Sequence, residues 1–573
     1  MGKRSIENFE ERKLNIKKVV ITVLMTITTI VLVILAVTGI RDFNNTIKEN
    51  EEIAKNEKEN SKEIIEEKAK TIEEILSEFG GEVEKQVKSD TYYISKDGKD
   101  YTVYLDGEIS EGKIIPWDGK DAKPAVDEAG NINIYSAAEL AWVANQVISG
   151  EKNFSGVTIT LRKNIDLGAR QKEDGTWEGP EWKSIIGFLD ELPEKKTTNK
   201  KENSDSTTVS IDENIEAINE NLKRFDGTLN GNGCSIRGMK IENNKRYQGL
   251  FGYLTGTVAN LTIKNSKVLG DEAVGAIVGL NDGNVNNCII ENTEVSGKEK
   301  IGALVGITMT ESKIENSSVY ETVKVSGNKY VGGLIGYTNN NVTVKSCNNG
   351  AIVTGKDYVG GITGIAFYGT NIQNSLNFSE LIEGENYVGG LVGYSAAQIE
   401  KSHNQLLAKN NGKVVGKKYV GGMVGLNYIM GDISECFNNS KIVVLEDNAG
   451  GIAGLNNSNI SGCYNKGEID ASQIEGLRIG GICGQNLSES FISKSYNIGK
   501  VNNVTYAGGV VGADFGNISD SFCLDNCLTT KTADLEYNKT EDELKNSTFE
   551  NLGDSFKADT ENINSGYPIL TWQ

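Results

Sequence analysis

A five-residue phrase, Gly-(Gly/Ala)-apolar-x-Gly, recurs through the C-terminal half of this 573-residue chain. Its closing glycine returns every 27 to 32 residues, so this half is one structural unit stacked about ten times. A glycine at the same point of every unit predicts either a positive φ or a close approach to neighbouring backbone. The closing glycines are Gly252, Gly279, Gly306, Gly336, Gly364, Gly393, Gly425, Gly454, Gly484 and Gly512.

The rest of each unit reads as two further short strands. The phrase is followed by apolar-x-x-(Cys/Ser)-x-(usually Asn), as in Ile372–Asn377, and a variable strand such as Ala351–Thr354 completes a unit. Three strands per unit leave no room for a helix and predict an all-β fold, a right-handed parallel β-helix of about ten coils. Leu334, Ile362 and Leu391 from the third slot of the phrase should then stack in one aliphatic column, beside a hydrogen-bonded column of asparagines.

The eight cysteines are mostly explained by the same repeat. Four of them fall in the slot that holds serine in sister units, and alternation of Cys with Ser indicates a need for a small side chain rather than a disulfide. These four are Cys288, Cys347, Cys436 and Cys463. Cys523 and Cys527 lie outside this rule, and a disulfide between them stays open.

The N-terminus carries a membrane signal. Val19–Ile40 is apolar and free of charge, and a helix of this length spans about 33 Å, enough for a bilayer core. Six basic residues within residues 1–18 should keep that segment in the cytoplasm. We therefore expect a single-pass signal-anchor that binds the cell membrane and holds the bulk of the chain outside it; a cleaved signal peptide is the alternative.

Between the membrane and the repeats, the composition changes several times. Residues 41–89 are rich in Glu and Lys with a short apolar heptad, which predicts a helical stalk, either a single helix or a coiled coil that joins copies of the chain. Gly80-Gly81 is expected to break or end this helix. Asp97-Gly98 predicts a β-hairpin. Residues 190–222 lack periodicity and are expected to form a mobile insertion. The predicted segments are 1–18, 19–40, 41–89, 90–133, 134–246 (N-terminal cap and first coils), 247–528 (repeat β-helix) and 529–573 (C-terminal cap).

A capping box predicts one helix in the segment 134–246, the N-terminal cap. Ser136 is followed three residues later by Glu139, which predicts a helix over Ala137–Ile148. Its apolar face should cover the open end of the stack, because unpaired strand edges need a cap.

The phrases resemble the GLUG repeat of bacterial surface and secreted proteins, including the region that flanks the peptidase domain of immunoglobulin A1 proteases. Arg224–Gly233 is similar to the lead-in of such arrays, although Cys234 stands where a histidine is common. Trp182–Gly187 and Gly566–Trp572 resemble the segments that accompany and end them. The resemblance covers about residues 131–573, and it implies a scaffold rather than a reaction.

The sequence offers no catalytic, metal-binding or cofactor-binding set. The proteases just named use a zinc-binding His-Glu-x-x-His helix, whereas this chain has a single histidine. That residue, His403, occupies a slot that holds Leu or an aromatic residue in sister units, so we interpret it as a stacking residue. Carboxylates do not align on neighbouring coils, and the pairs Asp432 with Asp447 and Asp514 with Asp520 would meet only by chance.

Two sets of tyrosines flank the phrases and are candidates to stack on sugars or on a partner protein, or simply to pack over the glycines. They are Tyr253, Tyr337 and Tyr394 after the closing glycine, and Tyr330, Tyr358, Tyr387 and Tyr419 before the phrase. The net charge of −20 argues against nucleic acid as a partner. We interpret the chain as a surface adhesin or binding scaffold for a glycan or protein ligand. The alternatives are a β-helical carbohydrate-active enzyme and an envelope spacer that binds nothing.

Overall fold

The computed structural model describes residues 72–183, 223–405, 412–473, 478–503, 506–528, 537–547 and 549–573. The chain divides into two compact units, with the boundary after Lys113. The predicted membrane helix 19–40, the segment 1–18, most of the stalk and the whole insertion 190–222 lie outside the described residues. Within the described ranges, no helix combines the length and the apolar character needed to cross a bilayer.

In the first unit, the described residues form one helix and a four-stranded antiparallel sheet. The elements are α1 (Ile72–Phe79), β1 (Glu82–Lys88), β2 (Thr91–Lys96), β3 (Lys99–Tyr104) and β4 (Ile109–Glu111). Asp97 and Gly98, both with positive φ, make the turn between β2 and β3. Ile75, Ile94 and Val103 form the small core between the helix and the sheet.

The described part of the predicted stalk is a helix that ends at Phe79, at the break expected from Gly80-Gly81. Glu82–Lys88, which the segment 41–89 included, is a strand. Gly80 and Gly81 cause the break, because their φ values of 76° and 101° lie in a region that a helix cannot use. The coiled coil itself falls on residues outside the described part and stays a prediction.

The second unit is an all-β parallel solenoid of about twelve turns. This exceeds the expected ten coils because strands that precede the repeats, including Ile132–Ile134, Thr158–Leu161 and Thr228–Asn230, pair in the same parallel sheet. The strands of the phrases form a first column. Its members are Phe251–Leu254, Val278–Asn281, Val305–Thr308, Ile335–Thr338, Thr363–Ala366, Val392–Ser395, Val424–Asn427, Ala453–Asn456, Cys483–Asn486 and Val511–Asp514.

Four more columns complete the coils. The second column holds Ile132–Ile134, Thr158–Leu161, Thr228–Asn230, Thr257–Leu269, Asn284–Ser296, Lys313–Glu315, Thr343–Lys345, Asn371–Gln373, Gln398–Glu400, Asp432–Ser434, Asn459–Ser461, Phe491–Ser493 and Asn517–Ser519. The third column, in which Thr257–Leu269 and Asn284–Ser296 continue, holds Ile165–Asp166, Ser235–Arg237, Ser318–Val319, Asn348–Asn349, Leu376–Asn377, His403–Asn404, Phe437–Asn438, Tyr464–Asn465, Tyr496–Asn497, Phe522–Leu524 and Asn538–Lys539.

The fourth column, again with the two long strands, holds Lys240–Glu242, Lys324–Ser326, Ile352–Thr354, Leu381–Glu383, Lys413–Gly421, Lys441–Gly450, Ile469–Ala471 and Val501–Asn503. The fifth column, in which Lys413–Gly421 and Lys441–Gly450 continue, holds Glu272–Val274, Glu299–Gly302, Lys329–Gly332, Asp357–Gly360, Asn386–Gly389 and Ile479–Gly480. Outside the columns, Arg170–Gln171 pairs with Trp177–Glu178.

A typical coil therefore has five short strands where the sequence predicted three. The second predicted strand of a coil is divided by a residue with positive φ, which turns the chain within that coil. Ser346, with a φ of 53°, separates Thr343–Lys345 from Asn348–Asn349, and Asn374, with a φ of 49°, does the same in the next coil.

The predicted aliphatic column is confirmed. Leu334, Ile362 and Leu391 are each 0% exposed and lie in the main core. Their backbones are joined in sequence, because Leu334 N–H donates to Ile362 O at 3.2 Å and Ile362 N–H donates to Leu391 O at 2.8 Å. Successive phrases therefore stack directly on each other, and their aliphatic side chains are buried between neighbouring coils.

The predicted asparagine column is also present. It consists of Asn349, Asn377, Asn404, Asn438, Asn465 and Asn497, all buried. Each side-chain amide donates to the Oδ1 of the next asparagine, at 2.8 Å, 2.8 Å, 2.9 Å, 2.8 Å and 2.9 Å along the stack. Chains of amides that satisfy one another can lie in the interior without leaving unpaired polar groups.

Helix α2 (Ala137–Ser149) covers the N-terminal end of the solenoid core. Ser136 and Glu139 form the expected capping box, and Gly150 ends the helix with a φ of 77°. Its apolar residues, including Leu140 and Val147, are buried in the same core as the first strands of the second column.

The C-terminal segment folds back along the side of the solenoid. After Asn538–Lys539 it contains a π-helical turn (Glu543–Ser547), helix α3 (Phe549–Leu552), a 3-10 turn (Gly553–Ser555) and the antiparallel pair Phe556–Lys557 with Ile569–Leu570. Trp572 packs over His403 and Phe437, with ring centroids 5.6 Å and 5.9 Å apart, and its Nε1 donates to Glu435 O at 3.0 Å. This segment covers an aromatic row in the third column, namely His403, Phe437, Tyr464 and Tyr496.

His403 is expected to make stability depend on pH. Burial lowers the pKa of its imidazole from 6.5 to about 4. Between these values the unfolded chain binds more protons than the folded chain, so the free energy of unfolding falls as pH drops from 6.5 to 4. We expect His403→Phe, which matches Phe437 in the next coil, to remove about 1–3 kcal/mol of this loss. Urea unfolding at pH 7, 5.5 and 4.5 measures it; parallel losses in variant and wild type would contradict the assignment.

Candidate binding face

The predicted tyrosines belong to a second apolar cluster, which is separate from the main core. We call this cluster the aromatic face. Its floor is one register position of the first column, occupied in successive coils by Tyr253, Leu280, Ile307, Tyr337, Ile365, Tyr394, Leu426 and Leu455. Its rim is the row Tyr330, Tyr358, Tyr387 and Tyr419 in the fifth column.

The two predicted sets therefore have different positions. Tyr253, Tyr337 and Tyr394 are only 4%, 7% and 3% exposed, so they belong to the floor. Tyr337 meets Tyr330 edge to face at 5.9 Å, and Tyr394 meets Tyr358 at 6.2 Å. The rim tyrosines are half-buried. Only the rim can offer substantial surface to a ligand.

The rim tyrosines stack on one another. Tyr358, Tyr387 and Tyr419 have ring centroids 4.8 Å apart and interplanar angles of 4°. Both faces of Tyr387 are thus covered by its neighbours, and a ligand can reach ring edges and hydroxyl groups but cannot stack on that ring. At the N-terminal end of the row, Lys329 Nζ lies 4.7 Å from the centroid of Tyr330.

Every rim tyrosine has a strained backbone. Their φ values are 57° to 59°, a region that bulky side chains avoid. This backbone lies against the closing glycine of the next coil. A Cβ at Gly364 would lie 2.6 Å from Tyr330 C, and a Cβ at Gly393 would lie 2.6 Å from Tyr358 C. The closing glycines are therefore required for close approach and not for a positive φ, the second of the two predicted reasons.

Four phenol groups of the face are neutral over the physiological range. Burial raises the pKa of Tyr253 to about 12, with the nearby Asp282 carboxylate adding to the shift. Burial also raises the pKa values of Tyr358, Tyr387 and Tyr394, followed in each case by the effect of neighbouring tyrosines. On the rim, Tyr358 and Tyr387 therefore carry uncharged hydroxyls, which can both donate and accept hydrogen bonds.

The structure adds aromatic residues that the repeat pattern did not single out. Phe367 stacks on Tyr337 with centroids 6.3 Å apart, and Tyr428 packs on Tyr394 at 5.4 Å. Tyr368 also belongs to this side of the face. All three lie in the turn after the first column, whose length differs between coils. Alignment on the phrase could have found them only by a search for aromatics in turns of unequal length.

Comparison with known proteins adds little to this geometry. No family model matches the chain, and no curated protein sequence matches it. A crystal structure of a putative immunoglobulin A1 protease from Bacteroides ovatus is similar over 79% of this chain and 96% of that chain, at 16% identity and a TM-score of 0.28. A similarity this low does not assign a family or an activity.

The remaining candidate groups have partners of their own. Asp432 accepts a hydrogen bond from Asn459 at 2.8 Å, and Asp447 accepts one from Arg478 Nε at 2.8 Å. Asp514 accepts from Asn486 at 2.8 Å, whereas Asp520 is exposed. In the part of the chain that the structure describes, no three His, Cys, Asp or Glu side chains are grouped so that they could hold a metal ion.

Proposed function

We propose that this protein is an extracytoplasmic binding scaffold, held at the cell membrane by residues 19–40, whose aromatic face binds an extended ligand. A solenoid presents the same surface position at every coil, which suits a polymer such as a glycan or an extended polypeptide. The rim repeats at 4.8 Å between rings and extends over four successive coils. The resemblance of the phrases to GLUG repeats of bacterial surface proteins supports the same proposal.

The observation that carries the proposal is the presence of tyrosine where the backbone favours asparagine. The equivalent position of the fifth column is Lys300 in the coil before the first rim tyrosine and Asn448 in the coil after the last one. Both residues also have a positive φ. Asparagine tolerates this conformation best after glycine, so four tyrosines in succession cost conformational free energy. Stacking of the rings on one another offsets part of that cost. It also holds a row of ring edges and hydroxyl groups at the surface, where an extended ligand can contact them.

The test is a double variant, Tyr358→Asn with Tyr387→Asn, in the purified full-length chain. Asparagine suits the backbone at both positions, so the solenoid should remain folded while the rim is interrupted. We expect binding to a glycan array, or to a protein captured from host-cell surfaces, to weaken at least about tenfold, since aromatic contacts at a binding centre contribute about 1–2 kcal/mol each. Phe491→Asn is the matched control, because Phe491 is 51% exposed and lies in the second column, outside the face.

Four outcomes separate the candidate functions. Loss of binding in the double variant alone supports the scaffold. Equal binding by all three proteins would place the ligand elsewhere, and absence of any bound ligand would favour the spacer. New chain ends in a glycan incubated with wild-type protein would favour the enzyme.

A further inference from the structure

The rim is straight over three coils. The rings of Tyr358, Tyr387 and Tyr419 have interplanar angles of 4° and equal centroid spacings of 4.8 Å, so successive coils hardly rotate one ring against the next. Tyr330 continues the rim at its N-terminal end, with its ring centroid 5.3 Å from that of Tyr358. A straight ligand whose polar groups repeat once per coil can therefore contact successive tyrosines in the same way.

An extended polypeptide does not share this repeat. A β-strand advances about 3.3 Å per residue, or about 6.6 Å between residues on the same face, and strands are twisted. Neither distance matches the 4.8 Å between rim rings, so contacts to successive tyrosines would lose register within a few coils. A sugar residue of an extended β-1,4-linked glycan advances about as far as one coil, and such a glycan forms a straight ribbon.

The polar groups of the rim also suit a ligand that carries many hydroxyls. Within the rim, ring faces are covered by stacking, and ring edges and hydroxyl groups are what a ligand can reach. The Tyr358 and Tyr387 hydroxyls are uncharged, because burial raises their pKa values. They can both donate and accept hydrogen bonds, and sugar hydroxyls have the same dual capacity.

Charged side chains beside the rim are largely paired with opposite charges on neighbouring coils. The pairs are Lys300 with Glu272 at 2.6 Å, Lys417 with Glu385 at 3.0 Å, Lys418 with Glu446 at 3.2 Å, and Arg478 with Asp447. Lys329 and Asp357, which lie in register on adjacent strands, also have opposite signs. Paired charges attract neither a polyanion nor a polycation, so they favour a neutral ligand.

We propose that the ligand of the aromatic face is a neutral, extended β-1,4-linked glycan, which lies along the solenoid axis with one sugar residue at each rim tyrosine. This inference rests on the binding function proposed above and names its substrate class. The four rim tyrosines define four subsites. Lys300 and Asn448 take the equivalent position in the flanking coils and so end the rim on either side.

The test is isothermal titration calorimetry of the full-length protein with β-1,4-linked oligomers of glucose and of N-acetylglucosamine, from two to six residues long. For at least one series, we expect affinity to rise about threefold to tenfold per residue, the factor that one net hydrogen bond provides. The rise should stop at four residues, where the rim ends. Maltohexaose is the matched control, since it contains the same glucose in a curved α-1,4-linked chain, and it should bind at least about tenfold more weakly.

Two variants locate the ligand on the rim. Tyr419→Asn removes the last subsite and should shorten the rise from four residues to three. Tyr387→Asn interrupts the rim and should remove the gain beyond two residues. A general loss of stability would lower affinity for every length without moving the point at which the rise stops. Phe491→Asn should bind all oligomers as the wild type does.

The glycan assignment is overturned if no β-1,4-linked oligomer binds, if affinity does not depend on length, or if maltohexaose binds equally well. In the first case, a protein ligand that Tyr358→Asn with Tyr387→Asn no longer binds would still support the binding scaffold. Equal binding of the oligomers by the wild type and by that double variant would contradict both proposals.

Discussion

Replacing Gly336 by alanine is expected to destabilise the solenoid by about 3 kcal/mol or more. A Cβ at this position would lie 2.3 Å from Lys300 C and 2.4 Å from Ile301 N, and both atoms are backbone of the preceding coil. Neither can move without breaking the ladder between coils, so the coils must separate locally. A lower midpoint of urea unfolding, followed by circular dichroism, measures the effect.

Gly233→Asn is the control for this substitution. Gly233 has a φ of 75° in a turn of an early coil, and no atom lies within 4 Å of the Cβ that it would gain. Asparagine tolerates that φ, so a change of less than about 1 kcal/mol is expected. If Gly336→Ala and Gly233→Asn unfold at the same midpoint, close approach is not the reason for the closing glycine.

Replacing Asn404 by alanine is expected to cost about 3 kcal/mol. Its side chain is 1% exposed, donates to Gly422 O at 2.8 Å and to Asn438 Oδ1 at 2.9 Å, and accepts from Asn377 at 2.8 Å. Without the Asn404 side chain, the Asn377 amide and the Gly422 and Asn438 oxygens are buried without this hydrogen-bond partner. The cavity that alanine leaves is therefore lined by polar atoms. Urea unfolding of the full-length protein again provides the measurement.

Asn459→Ala provides the comparison for the asparagine column. Asn459 also donates across coils, to Asp432 of the preceding coil at 2.8 Å, but this hydrogen bond is exposed to solvent. Water replaces the lost partner, and we expect a cost below about 1 kcal/mol. Equal costs for Asn404→Ala and Asn459→Ala would show that burial does not govern the contribution of the column.

Much of the architecture could be predicted because a solenoid repeats one set of contacts between neighbours. The phrase places Leu334 above Ile362 once a parallel stack is assumed, and the same alignment predicts that Asn377 meets Asn404. The alignment could not predict how many strands make a coil, because strand breaks at residues such as Ser346 depend on local φ. Gly80-Gly81 indicated the end of the stalk helix, but two glycines can end a helix without revealing that a strand, Glu82–Lys88, follows.

The spacing of glycine, aliphatic and asparagine slots by itself determined the parallel solenoid, since each layer needs only the layers next to it. Tertiary structure alone decided that Tyr337 is floor and Tyr358 is rim, because their burial depends on which rings of other coils cover them. It also decided that Trp572 packs over His403, a contact between residues far apart in the chain. Repetition encodes contacts at a constant separation, whereas contacts outside that period leave no recurring pattern in a single sequence.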